Sequence, residues 1–99
     1  MASTRKLTAT LPSGEVVTRR TARTYTHVVA RKLTYTDGSS TGWHCTGWCG
    51  RPDLAEKQMA QFRKGDTPGC QVLVGFDADR APIYKTLERL ELVAAPVGV

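Results

Sequence analysis

The chain has 99 residues, 40% of them hydrophobic and 23% charged, with a net charge of +5 at neutral pH. That length suits one domain with one modest core. No apolar run approaches the ~20 residues of a membrane-spanning helix, and MASTRKLTATL has no apolar stretch before a cleavage site, so neither a membrane partner nor a secretory leader is expected.

The first element reads as a hairpin. Leu7, Ala9 and Leu11 alternate with polar residues, Pro12-Ser13-Gly14 supplies the turn, and Val16-Val17-Thr18 resumes the strand. Residues 22–36, TARTYTHVVARKLTYT with the preceding Thr21, are rich in threonine, valine and tyrosine and read as one long strand. Strand side chains alternate between faces. The odd set (Arg23, Tyr25, His27, Val29, Arg31, Leu33, Tyr35) is bulky and is expected to fill the core, leaving the smaller even set outside. Asp37-Gly38-Ser39-Ser40 forms a turn, and TGWHCTGW returns as the next strand, with Trp43 and Cys45 on one face and His44 and Trp48 on the other.

RPDLAEKQMAQFRKG predicts a helix over about 53–64. Pro52 suits its first turn, Asp53 and Glu56 have the spacing of a capping box, and Gly65 closes it. Leu54, Ala55, Met59 and Phe62 share one face, which is expected to cover the sheet. CQVLVGF reads as a central strand. In segment 82–94, Ile83, Leu87 and Leu90 have helical spacing behind Pro82, so a short C-terminal helix is favoured, although LELV also fits a strand. The expected architecture is a single α+β domain over residues 1–99. An antiparallel-rich sheet of four to five strands carries one main helix on one face and the short C-terminal helix.

The charge is unevenly spread. Residues 1–36 hold seven basic side chains against one acid, Glu15, whereas residues 37–99 hold seven basic against eight acidic ones. Such asymmetry points to a polyanionic partner. The candidate nucleic-acid-binding residues are Arg19, Arg20, Arg23, Arg31 and Lys32, with Tyr25 and Tyr35 nearby and Arg5 and Lys6 on a neighbouring strand.

GWHCTGWCG, residues 42–50, raises the question of a chemical centre. Zinc held by Cys45 and Cys49 would need Cys70 and either His27 or His44 to complete four ligands. In an extended strand positions 45 and 49 lie about 13 Å apart, at ~3.3 Å per residue, too far for two thiolates on one ion. The expectation is no metal and no cofactor, with the cysteines packed as small reduced hydrophobes. His27 reads as a packed or hydrogen-bonded sheet histidine, and Asp77-Ala78-Asp79 as a solvated turn. Neither a phosphate-cradling glycine loop nor a serine nucleophile signature is present, so an enzyme is not expected.

RTYTHVVARK, the glycine–tryptophan strand and GRPDLAEKQMAQFRKG resemble small accessory proteins of actinobacteriophages, of the mycobacteriophage type, over roughly residues 5–76. The resemblance implies a phage accessory protein acting in the host cytoplasm, and it assigns no catalytic residue. The expected function is then a non-enzymatic module that docks on a host bacterial protein, with Trp48 as a contact residue. Binding of a nucleic-acid backbone is the alternative, a zinc-stabilised module is a minor one, and homo-oligomers are compatible with both main readings.

Overall fold

The computed structural model describes residues 3–98. Among them the chain forms β1 (Arg5–Thr10), β2 (Val16–Thr21), β3 (His27–Tyr35), β4 (His44–Cys49), α1 (Pro52–Gly65), β5 (Gln71–Phe76) and β6 (Pro82–Pro96). β1 and β2 make a two-stranded sheet, and the other four strands make a second sheet in the order β4-β3-β6-β5. Every neighbouring pair is antiparallel. The α+β class therefore holds, with six described strands in two sheets where four to five strands were expected.

β3 explains the layering. Val28, Val29 and Ala30 are three consecutive residues with no exposure. In a strand, consecutive side chains point to opposite faces, so both faces must be covered there. The β1–β2 hairpin covers one face, where Ala9 and Leu11 pack with Val28, Ala30 and Ala95. Helix α1 covers the other, where Ala55 packs with Val29 and Cys49 and is joined by Met59 and Phe62. The expectation that the even residues of this segment lie outside is thus corrected at Val28 and Ala30. The hairpin is the reason, since it lays a second layer on the face that alternation had left to solvent. The strand also begins at His27 rather than at Thr21, because Thr21 ends β2 and the chain bends at Ala22-Arg23 to leave the hairpin.

α1 differs in its ends and its face. Arg51 occupies the N-cap in an extended conformation without a side-chain cap. Asp53, expected to pair in a capping box, instead meets Arg51 at 3.3 Å. Gly65 is the last helical residue, and Asp66 caps the end through its N–H to the Phe62 carbonyl. Leu54 is 40% exposed, outside the contact that Ala55 makes. A small residue at the point of closest approach lets the helix sit low on the sheet, which leaves the larger neighbour at the rim.

The C-terminal helix does not form. Residues 82–96 are one strand of 15 residues, pairing with β5 through 82–86 and with β3 through 87–96. The register slips by one residue between Leu87 and Arg89, opposite Tyr35 and Thr34. That bulge puts Leu87 and Leu90 on the same face although they are three residues apart, and both join Leu33 and Tyr35 in a third cluster. A bulged strand had imitated helical spacing.

β5 is an edge strand, not a central one. It and the start of β6 extend as an arm from the body, and the molecule measures 52 × 29 × 23 Å. Its Cα radius of gyration is 16.0 Å, against about 13 Å for a compact chain of this length.

Candidate functional site

Five of the seven basic residues of the N-terminal third lie on and beside the β1–β2 hairpin. A five-residue connection, 11–15, sets the pairing Thr10↔Val16, and everything upstream follows in register. Leu7 and Ala9 then point at the sheet, while Lys6 falls directly opposite Arg20 on the outer face. Like charges facing each other across a hairpin destabilise it by a few tenths of a kcal/mol or more. Val97 and Gly98 run beside β1, and the N–H of Thr8 donates to the Gly98 carbonyl at 2.9 Å.

Arg5 lies opposite Thr21 and donates a hydrogen bond to Thr24 Oγ1 at 3.1 Å. Arg23 follows the bend and is exposed. The Arg19 guanidinium lies 5.0 Å from the centroid of the Tyr25 ring. Tyr25 in turn meets Trp48 edge to face, 5.9 Å between centroids. An exposed cation and a half-buried phenol and indole thus form one row at the side of the hairpin. Among the described residues, no carboxylate lies within 4.0 Å of Arg5, Lys6, Arg19, Arg20 or Arg23.

Arg31 and Lys32 do not belong to this group. Arg31 Nη1 is 2.8 Å from Asp66 Oδ2, and its guanidinium lies 4.7 Å from the Phe62 ring centroid, so it serves the helix side of the sheet. The pairing offsets the unfavourable placement of Asp66 at the negative end of the helix dipole. Lys32 sits opposite Glu91, with 4.0 Å between Nζ and Oε2. The expected set of five contact residues therefore divides into Arg19, Arg20 and Arg23 on the hairpin side and two ion-paired residues elsewhere. Arg5 and Lys6 complete the cluster. Their positions follow from the turn length, because a hairpin centred on Ser13 places residue 6 across from residue 20.

Trp48 faces the hairpin, not the side away from Trp43 and Cys45. The register between β3 and β4 slips at Thr46, whose hydroxyl donates to the Val29 carbonyl at 3.0 Å. Cys45 then lies across from Ala30 and Trp48 across from Val28, both on the hairpin face. A one-residue slip exchanges faces for every residue beyond it. Cys49 consequently points to the helix side, where its thiol donates weakly to Gln58 Oε1 at 3.8 Å.

Cys45 and Cys49 thus lie on opposite faces of the sheet, which rules out one zinc ion held by the two. Partial desolvation of the sulfur raises both thiols above their ordinary pKa, in Cys45 against the Gly47 N–H and the Arg19 charge and although that residue as a whole is exposed. Contrary to expectation Cys45 is exposed, whereas Cys49 packs as a small hydrophobe. Cys70 belongs to the third cluster with Leu33, Tyr35 and Leu87. His27 Nδ1 is 2.9 Å from Thr26 Oγ1, and His44 Nε2 is 2.7 Å from the Thr41 carbonyl. Among the described residues no three His, Cys, Asp or Glu side chains converge as a metal site. Asp77 Oδ1 accepts the N–H groups of Asp79 and Ala81, both at 2.9 Å, and so organises its own turn.

A second feature had no strong signal in the sequence. The arm exposes Leu73, Val74, Phe76, Ile83 and Tyr84, with Phe76 at 63% and Tyr84 at 54%. Where the arm joins the body, Lys85 holds Asp37 at 3.1 Å and donates to Ser39 Oγ at 2.8 Å. The Ser39 hydroxyl and N–H, with Lys85, lower Asp37 to a pKa of about 2.

No protein-family model matches the chain, nor does any curated protein or solved structure. No helix among the described residues is long and apolar enough to cross a membrane.

Proposed function

We propose that the protein is a non-enzymatic binding module whose β1–β2 hairpin engages a nucleic-acid backbone. The observation that carries this reading is the set of five cations that have no acidic partner among the described residues, including Lys6 and Arg20 opposed across the hairpin. Such repulsion is relieved when phosphates sit between the cations and release their condensed counterions. Tyr25 and Trp48 lie beside the cluster and offer ring edges to a base or sugar. The contacts are of the kind that position a backbone without reading its sequence.

Fluorescence anisotropy with labelled DNA and RNA oligonucleotides tests this directly. Three to five phosphate contacts give a slope of log K against log salt of about −3 to −4.5 on duplex DNA. Lys6→Ala with Arg20→Ala should flatten that slope by roughly one to two and weaken all sequences alike. Arg31→Ala should leave it unchanged, because its guanidinium is committed to Asp66. Absence of salt-sensitive binding at about 50 mM salt would remove the reading.

A second reading, docking on a host bacterial protein in the cytoplasm of an infected cell, draws on the resemblance to phage accessory proteins and on the exposed apolar arm. Trp48 contributes little to it, since its ring is half-buried against the hairpin. Affinity purification from the bacterium with and without nuclease separates the two readings. A protein retained after nuclease treatment favours docking.

A further inference from the structure

We propose that the arm is a self-association surface, at which the face bearing Leu73, Phe76, Pro82 and Tyr84 packs on the same face of a second copy across a two-fold axis. The register assigns these residues to one face. Leu73 lies across from Tyr84 and Phe76 across from Pro82, and the slip at Val74 keeps Leu73 and Phe76 on the same side although they are three residues apart. Cross-strand partners share a face. All four side chains are exposed, and none carries a charge. The opposite face of the arm includes Lys85, whose charge is already satisfied by Asp37.

A two-stranded hairpin is marginal in water unless something covers an apolar face. The chain's own covering elements are used elsewhere, since the β1–β2 hairpin and α1 both pack around the β3–β4 end. Charge then selects the occupant. Residues 71–86 carry two acids and two bases, so the arm is neutral in a chain of net charge +5. The basic hairpin packs on Ala95, at the far end of β6. The 15 residues of that strand span about 50 Å at ~3.3 Å per residue. Two copies meeting arm to arm therefore keep their basic poles many Debye lengths apart, each length being ~8–10 Å at moderate salt. A polyanionic partner is drawn to the pole instead. A second copy offers a neutral apolar face of matching size, and a two-fold contact uses the same patch on both sides.

The bulge at Val74 breaks the outer edge of β5, which disfavours edge-to-edge pairing and leaves the face as the contact. Aromatic side chains present 150–250 Å² each, so Phe76 and Tyr84, about half exposed, together with the exposed parts of Leu73 and Pro82 give the face on the order of 300–400 Å² per copy. That falls below the ~600 Å² per partner of a stable complex, and the association is weak and reversible. It is independent of what the basic hairpin binds.

Sedimentation velocity on the full chain from about 10 μM to about 1 mM tests the proposal, a range that brackets weak association. The mean mass should rise from one chain towards two. Phe76→Lys with Tyr84→Lys places like charges against each other and should raise the dissociation constant at least tenfold, with circular dichroism unchanged. If that variant fails to fold, dilution of the wild type followed by amide chemical shifts decides, with changes confined to residues 71–86 as the supporting result. A monomer throughout the range, a dimer indifferent to both substitutions, or concentration-dependent shifts outside the arm would overturn the proposal. So would a monomer that sediments with phosphatidylcholine vesicles through Phe76 and Tyr84, or one that takes up a host protein there, because the face would then belong to another occupant.

Discussion

At its C-terminal end β6 runs beside β3 with a hairpin over one face and a helix over the other, and Ala95 is 3% exposed. At its N-terminal end the same strand has β5 as its neighbour, and Ile83 is 41% exposed. Both stretches are apolar and extended, so residue type did not decide their burial. What decides it is whether a second layer reaches that end. The covered end also carries, on and beside its hairpin, the cations that have no acidic partner among the described residues, while the arm at the bare end has as many acids as bases. The molecule thus separates a charged surface from an apolar one along its long axis, and each can act without the other.

Removing the same side chain from the two ends is the most direct way to break this comparison. Leu11→Ala, in the packed layer between hairpin and sheet, should cost about 2–5 kcal/mol, whereas Leu73→Ala on the arm should cost under ~1 kcal/mol. Chemical denaturation of both variants provides the measurement, and equal losses would mean that the arm is packed as tightly as the body.

Smaller effects separate the ion-paired cations from those with no acidic partner among the described residues. Arg31→Ala should lower stability by about 1 kcal/mol, since it breaks a half-buried charge-assisted hydrogen bond at 2.8 Å. Arg20→Ala should fall within ~0.5 kcal/mol of neutral and lean towards stabilisation, because it relieves the opposition to Lys6. A stability loss at Arg20 as large as that at Arg31 would contradict the division of the basic residues.

The smallest expected effect sharpens the boundary between arm and body. Asp37 has a pKa of about 2 in the folded protein against an ordinary value of 3.8. A lowered folded value means that its contribution is present above the ordinary value and is lost as pH falls from about 4 towards 2. NMR titration of its carboxyl carbon reads this. Ser39→Ala should raise the value more than Lys85→Met, because the serine hydroxyl is the largest single cause and also accepts from Lys85. The opposite order would make the Lys85 clasp the dominant tie.

Three bulges account for most of what the sequence concealed. At Thr46, Val74 and Glu88 the register slips, and residues three apart, Cys45 with Trp48, Leu73 with Phe76 and Leu87 with Leu90, come to share a face. Period-two alternation then fails, and i, i+3 spacing looks helical. A slip of one residue depends on which partner strand is present and how it pairs, so one strand's own pattern does not reveal it. The same cause moved Trp48 to the hairpin face, sent Cys49 to the helix side and turned the expected C-terminal helix into the longest strand.

The hairpin and its turn, the place of the helix and the excess of cations in the first 36 residues were determined by the sequence itself. Each rests on local rules: turn chemistry at Pro12-Ser13-Gly14 between alternating runs, a proline followed by an apolar period near 3.6, and a count of charges. Tertiary structure alone decided that Val28 and Ala30 are buried, that Arg31 and Lys32 are spent on acids, and that the apolar face of β5 is bare. Those outcomes depend on which distant segment lies over each face. A segment's own periodicity marks which side chains share a face, but burial requires a covering layer, and here the covers come from chain far from β6 and reach only one of its ends.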